Sequence, residues 1–156
     1  MASGKGGFGL PQMSEEEMLE RLLSEDPNRT DTEPQIASSI GEQMLLMGLR
    51  TMPRSLRSRI RDIVSRVPLG NAILVGGGIG HLSAWLFDLW CGDPSIPESS
   101  SGVKPDSFII VEEGARFGVI IDRLIKRYNA ESWSRVVAKP WIEITAEVTS
   151  WSAASA

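Results

Sequence analysis

The residues best suited to chemistry in this chain fall in two short stretches. Asn71-Ala-Ile-Leu-Val75 is an apolar run that breaks at Gly76, Gly77 and Gly78, after which Ile79, Gly80 and His81 lead into a second apolar stretch ending near Phe87. The spacing predicts a strand, a tight turn and a helix. Glycine serves such a turn by taking dihedrals that a Cβ forbids and by letting a ligand come close to the main chain. The first amides of the following helix, with its dipole, favour an anionic group there, a phosphate or a carboxylate. Further on, Phe108-Ile-Ile-Val-Glu-Glu113 is another apolar run, and it ends in acid. A carboxylate at the tip of the second strand is where a nucleotide-binding sheet places its acceptor for ribose hydroxyls. The candidate cofactor site is therefore Val75, Gly76, Gly77, Gly78, Gly80, His81, Glu112 and Glu113. For the glycines taken alone, a purely structural turn is the competing explanation.

His81 is the only histidine, and no cysteine or carboxylate stands at a metal-ligand spacing from it, so no metal site is expected. It suits either the wall of a cofactor pocket or a passive place at the start of the helix.

These groups need elements to position them. Ser14 followed by Glu15, Glu16 and Glu17 is a capping box, and the helix it opens should run to about Ser24. Glu25 to Pro34 reads as a linker. Residues 1–34 hold eight acids against three bases and are taken as a flexible, solvated acidic tail with one short helix; residues 35–156 are taken as the folded domain. In the domain, Ile36, Ile40, Met44 and Met47, with Leu45, fall on one face of a first helix. A second helix should follow Pro53 and run to Val67, with Leu56, Ile60, Ile63, Val64 and Val67 as its packing stripe.

The helix after the glycines should span Ile79 to Trp90, with Leu82, Trp85, Leu86 and Leu89 turned to a sheet and both tryptophans in packing roles. Cys91 to Ser107 is rich in proline, glycine and serine, a long loop that suits a lid or a disordered segment. Beyond Glu113, a helix carries Phe117, Ile121, Leu124, Ile125 and Tyr128 on one stripe; a third strand over Arg135 to Ala138 and a helix over Trp141 to Val148 complete the pattern. Alternating strands and helices predict an α/β fold, a parallel sheet with right-handed crossovers.

Bulk properties narrow the setting. A chain of 156 residues with a net charge of −4 suits one domain with a real core. A single cysteine, Cys91, excludes an internal disulfide and fits a reducing compartment, and the glycine-rich start lacks the form of a secretory signal, so a cytoplasmic protein is expected. Val67 to Phe87 is free of charge and long enough to span a bilayer, but Pro68, Asn71 and the glycines argue against a membrane helix. The five arginines Arg54, Arg57, Arg59, Arg61 and Arg66 could neutralise phosphates of a nucleic acid. The acidic balance and the absence of interleaved aromatics weigh against that partner, and a solvated helix face paired with the acidic tail is the simpler account.

The run Ile73-Leu-Val-Gly-Gly-Gly-Ile-Gly80, followed by Val111-Glu-Glu-Gly-Ala-Arg-Phe117, resembles the Rossmann-like class of S-adenosylmethionine-dependent methyltransferases, over roughly residues 50 to 145. The glycine turn is also similar to that of spermidine synthases. The resemblance implies that Gly76, Gly78 and Gly80 pass beneath the methionine part of S-adenosylmethionine and that Glu112, with Glu113 as its neighbour, takes the ribose hydroxyls. It also implies a helix entering from the N-terminal side, here Pro53 to Val67.

Three departures accompany the resemblance. Leu74 stands where an acid often partners the cofactor's amino group. The interval from Gly76 to Glu112 is 36 residues, where about 20 is usual for this kind of fold. Only three strands are legible where the family's sheet has seven, so the chain reads as the N-terminal half of such a domain, active or truncated. A second copy is one route to completing the sheet. No general base and no methyl acceptor can be named. Two other readings stand beside this one: a nicotinamide- or flavin-dinucleotide-binding oxidoreductase fragment, in which the third glycine of G-x-G-x-x-G would fall at His81, and a non-enzymatic interaction module with a vestigial nucleotide pocket.

Overall fold

The computed structural model of the chain describes residues 13–28, 31–67, 70–100 and 102–144. Its elements in chain order are α1 (Glu15–Leu23), α2 (Gln35–Leu46), α3 (Arg54–Arg66), β1 (Asn71–Val75), α4 (His81–Cys91), β2 (Ser107–Val111), α5 (Ala115–Arg127) and β3 (Ser134–Val137). A helical turn over residues 141–144 follows; the rest of the expected final helix lies outside the described residues. The three strands form one parallel sheet in the order β1-β2-β3, with Asn71 opposite Ser107 and Phe108 opposite Ser134. This is the α/β fold that the sequence predicts, a short Rossmann-like sheet flanked by helices, with α1 to α3 as an N-terminal helical extension.

Strand alternation decides which residues meet which helices. Phe108 and Ile110 of β2, with Ala72, Leu74 and Val136 beside them, face α4 and α5 and join the main core. Ile109 and Val111 point the other way, with Ile73 and Val137, and meet Ile144 of the last helical turn. The main core is aromatic at its centre. The Phe87 ring stacks on Tyr128 at 5.3 Å and meets Phe108 and Trp133 edge-on at 5.5 and 5.8 Å. Trp85 and Trp90 are both buried, as packing roles require.

The helices differ from expectation in three places. The acidic segment after α1 is not a solvated linker, because its carboxylates bond to α3 between residues 25 and 33. In α3 itself the buried side chains are Ser55, Arg57 and Ser58, while Ile63 and Val67 of the anticipated apolar stripe stay exposed. The reason is that α3 lies between α4 and those carboxylates, so its innermost face must be polar. In α2, Ile36, Ala37 and Met44 are buried, but Leu45, one residue round from Met44, is turned off the packed face, and Met47 lies past the helix end at Leu46 and is exposed too.

The loop between α4 and β2 has an ordered short helix at Pro97–Ser99 and returns to the sheet through Asp106 and Ser107, whose amides donate to the Gly70 carbonyl. That junction is at the amino end of β1. The glycine turn leaves β1 at its carboxyl end, so this loop is no lid over the turn. The uncharged stretch from Val67 to Phe87 is divided among β1, the turn and α4, and among the described residues no helix is long and apolar enough to cross a membrane.

Candidate functional site

The site is built where two neighbouring parallel strands end. Beyond Val75 the chain folds over the tip of β2, and the Gly76 and Gly77 amides both donate to the Val111 carbonyl, at 2.8 and 3.1 Å. One residue further, the Gly78 N–H donates to Glu112 Oε1 at 2.7 Å. The other carboxylate oxygen, Oε2, accepts from the Gly114 N–H, also at 2.7 Å. Glu112 therefore ties the β1–α4 turn to the β2–α5 turn. The sequence anticipates the convergence of Gly78 and Glu112; it gives no sign of the Gly114 amide, because that bond needs the geometry of the second turn.

The four glycines have different physical duties. A Cβ on Gly77 would lie 2.5 Å from Ile110 Cγ2 and 2.8 Å from Ile121 Cδ1, so this residue lets the turn settle onto β2 and α5. Gly80 has φ of +97°, and a Cβ there would lie 2.7 Å from Leu124 Cδ2. Gly76 and Gly78 need their glycine for positive φ, at +86° and +58°, and a Cβ on either would meet nothing within 4 Å. The space above Gly76 and Gly78 is open, whereas Gly77 and Gly80 close the packing beneath.

The remaining candidates divide likewise. Val75 is half exposed beside the turn, and Glu113 is exposed. His81 opens α4, but its imidazole is buried and turned to α2 and the acidic segment: a Cβ on Gly41 would be 3.2 Å from its Nε2, and Glu33 Oε2 is 3.3 Å away. What His81 can offer a ligand at the turn is its backbone amide. Gly80, the N-cap of α4, has no side chain to cap that end, so first-turn amides are left to other acceptors.

No protein-family model matches the chain, and no curated protein matches it. Function must therefore be argued from the geometry. The amides of Gly76, Gly77 and Gly78 are engaged within the protein, and the side chain that joins the two turns is a carboxylate with lone pairs to spare: two oxygens hold about four acceptor positions, and two are used. Such a site accepts hydroxyls and attracts cationic groups. It repels a phosphate.

Other groups considered for chemistry lie elsewhere. Cys91 closes α4 at its far end, and burial pushes its thiol up to about 11, which leaves it protonated and unreactive at neutral pH. Among the described residues no three His, Cys, Asp or Glu side chains gather at metal-binding range. A cavity of about 190 Å³ between α2 and α5 is lined by Ile40, Ile79 and Arg123 among others, with no glycine of the turn on its wall.

The arginines of α3 are largely committed inside the fold. Arg57 pairs with Glu33, Arg59 with Asp26, and Arg61 with Asp88 of α4, while Arg57 and Arg61 also lie over the Trp85 ring. Arg54 and Arg66 stand at opposite ends of the helix, about 18 Å apart at 1.5 Å per residue. That arrangement is a poor match for a continuous phosphate backbone.

Proposed function

We propose that this chain binds S-adenosylmethionine at the glycine turn and belongs to methyl-transfer chemistry, as an enzyme or as a half-domain related to one. The observation that carries the reading is the 2.7 Å hydrogen bond between the Gly78 amide and Glu112, which joins turn and acid into one site. On this reading the open space over Gly76 and Gly78 receives the methionine end, and the free lone pairs of Glu112 accept the ribose hydroxyls. Glu113, exposed beside it, adds negative charge that suits a sulfonium and an ammonium group. Methyl transfer can proceed by alignment of nucleophile and sulfonium, so the lack of an obvious general base is compatible with it.

Charge supports this reading over the dinucleotide alternative. A pyrophosphate needs the amides of the turn free, and here the Gly78 amide already holds a carboxylate that would face the phosphate oxygens. On the same reading a second copy of the chain pairs along β1 to extend the sheet.

The test is calorimetric titration of the folded protein with S-adenosylhomocysteine and, separately, with a nicotinamide dinucleotide. Saturable heat with the first and none with the second supports the proposal. No heat with S-adenosylhomocysteine at millimolar concentration rejects it, and heat with the dinucleotide alone reverses the order of the two readings.

A further inference from the structure

On α5 the buried and the charged faces meet along one edge, and that edge looks across a groove to α2. Ile121, Leu124 and Ile125 are buried, whereas Ile120 is only half buried. Ile120 and Leu124 line a cavity of about 190 Å³ with Ile40 of α2 and with Ile79, the residue between Gly78 and Gly80. Ile79 is 2% exposed, so it lies at the floor. The charged residues on the wall are Arg123 and Arg127. A second cavity, of about 420 Å³, shares Arg127 and is lined by Ile36, one turn before Ile40 on α2, and by Asp93 and Ser95. The two therefore lie side by side along α2, and the larger reaches the range of about 300–1,000 Å³ usual for small-molecule sites.

The two arginines are placed for an anion. Lys126 of the same helix is committed to Asp122 at 2.9 Å, but among the described residues neither Arg123 nor Arg127 makes an ion pair or a side-chain hydrogen bond. They stand one turn apart, about 6 Å along the helix axis at 1.5 Å per residue, close enough for one anionic head to meet both. Both are exposed, so their methylene stems wall the cavity while the guanidinium heads stay in water. Asp93 is already occupied, because the Ser95 amide and hydroxyl donate to its Oδ1 at 2.8 and 2.7 Å. A different concavity, of about 260 Å³, is lined by Met18, Leu22 and Arg59. There Arg59 is paired with Asp26, and α1 carries four glutamates that repel an anion.

We propose that the groove between α2 and α5 binds a long-chain carboxylate, its alkyl chain over Ile40, Ile79 and Ile120 and its head between Arg123 and Arg127. This does not depend on what the glycine turn binds. The make-up of the smaller cavity selects the ligand class. Its apolar wall is aliphatic throughout, so no ring offers a face for a nucleobase to stack on. It holds no uncharged polar side chain to read a sugar or a peptide backbone. What remains to be recognised is an aliphatic chain and one negative charge. The chain as a whole carries a net charge of −4, which disfavours unspecific attachment of anions and leaves this local pair of cations to hold the head. Because Ile79 belongs to the glycine turn, an occupied groove is felt by the amides of Gly78 and Gly80.

The test is calorimetric titration of the full chain at neutral pH with laurate, kept below its micellar concentration, and with hexanoate, acetate, inorganic phosphate and dodecyltrimethylammonium beside it. Laurate should saturate and acetate should not. Hexanoate should bind more weakly than laurate, by at most about fourfold for each methylene lost. Arg123→Gln and Arg127→Gln should each weaken laurate by about two- to fivefold, as for exposed ion pairs, and Ile120→Asp should abolish its binding. The absence of saturable heat with laurate overturns the proposal, as does undiminished binding in the double variant Arg123→Gln/Arg127→Gln. Dodecyltrimethylammonium binding as tightly as laurate, which marks a mere apolar surface, overturns it too, and so does phosphate doing the same, which marks a bare anion site. Should a variant fail to fold, amide NMR of the wild type decides. Laurate-induced shifts centred on Ile40, Ile79, Ile120 and Leu124 uphold the groove, and shifts centred on α1 overturn it.

Discussion

Replacing Glu112 with alanine removes the acceptor of two backbone N–H groups at once, those of Gly78 and Gly114. Hydrogen bonds to a charged group are worth about 1.5–3 kcal/mol each in mutational series. Chemical denaturation of Glu112→Ala should therefore show a loss of at least that size, together with weaker ligand binding. Glu112→Gln retains one oxygen for one amide and should lose less. The glycines separate by the same kind of reasoning. Gly77→Ala forces a methyl into Ile110 and Ile121 and should cost about 1–3 kcal/mol, the range for overpacked cores. In Gly78→Ala the methyl enters open space, so only the left-handed backbone is penalised, by about 1–2 kcal/mol. A ligand that needs that space should be lost in Gly78→Ala while the protein remains folded, which thermal melting with and without S-adenosylhomocysteine would read.

Among the helices, α4 packs on the sheet, on α2 and on α3 at once. Phe87 is fully buried at the centre of that junction and touches four other aromatic rings. Phe87→Ala should cost about 3–5 kcal/mol by equilibrium unfolding, the usual range for such a truncation. The strands, α4 and α5 were legible from sequence because their apolar patterns match burial: a continuous apolar run in β2, buried on both faces after Ser107, and Ile121, Leu124 and Ile125 at helical spacing in α5. The polar packing of α3 was not legible. Arg57 and Ser58 look like a solvated face until Glu33 and Asp31, distant in sequence, are brought against them. Likewise, Glu112 and the glycines announce a site by type and spacing, whereas the direction of the His81 ring depends on Gly41, a position with no side chain to signal a contact.

For the whole molecule, the three-stranded sheet is unevenly covered. β2 is buried along its length after Ser107, while β1 is only half buried and among the described residues pairs on one edge alone. Asn71 to Val75 carries no charge and no proline to deter pairing. If a second copy extends the sheet, light scattering should give twice the 17.1 kDa of one chain, and Leu74→Pro should return the monomer mass. The central claim, however, concerns the junction of the two turns, and amide NMR tests it most directly. On titration with S-adenosylhomocysteine, the resonances of Gly78 and Gly114 should show the largest saturable shifts, since both amides are bonded to the carboxylate that would meet the ribose. Shifts confined to residues away from these turns, or a spectrum unchanged at saturating ligand, would contradict the account.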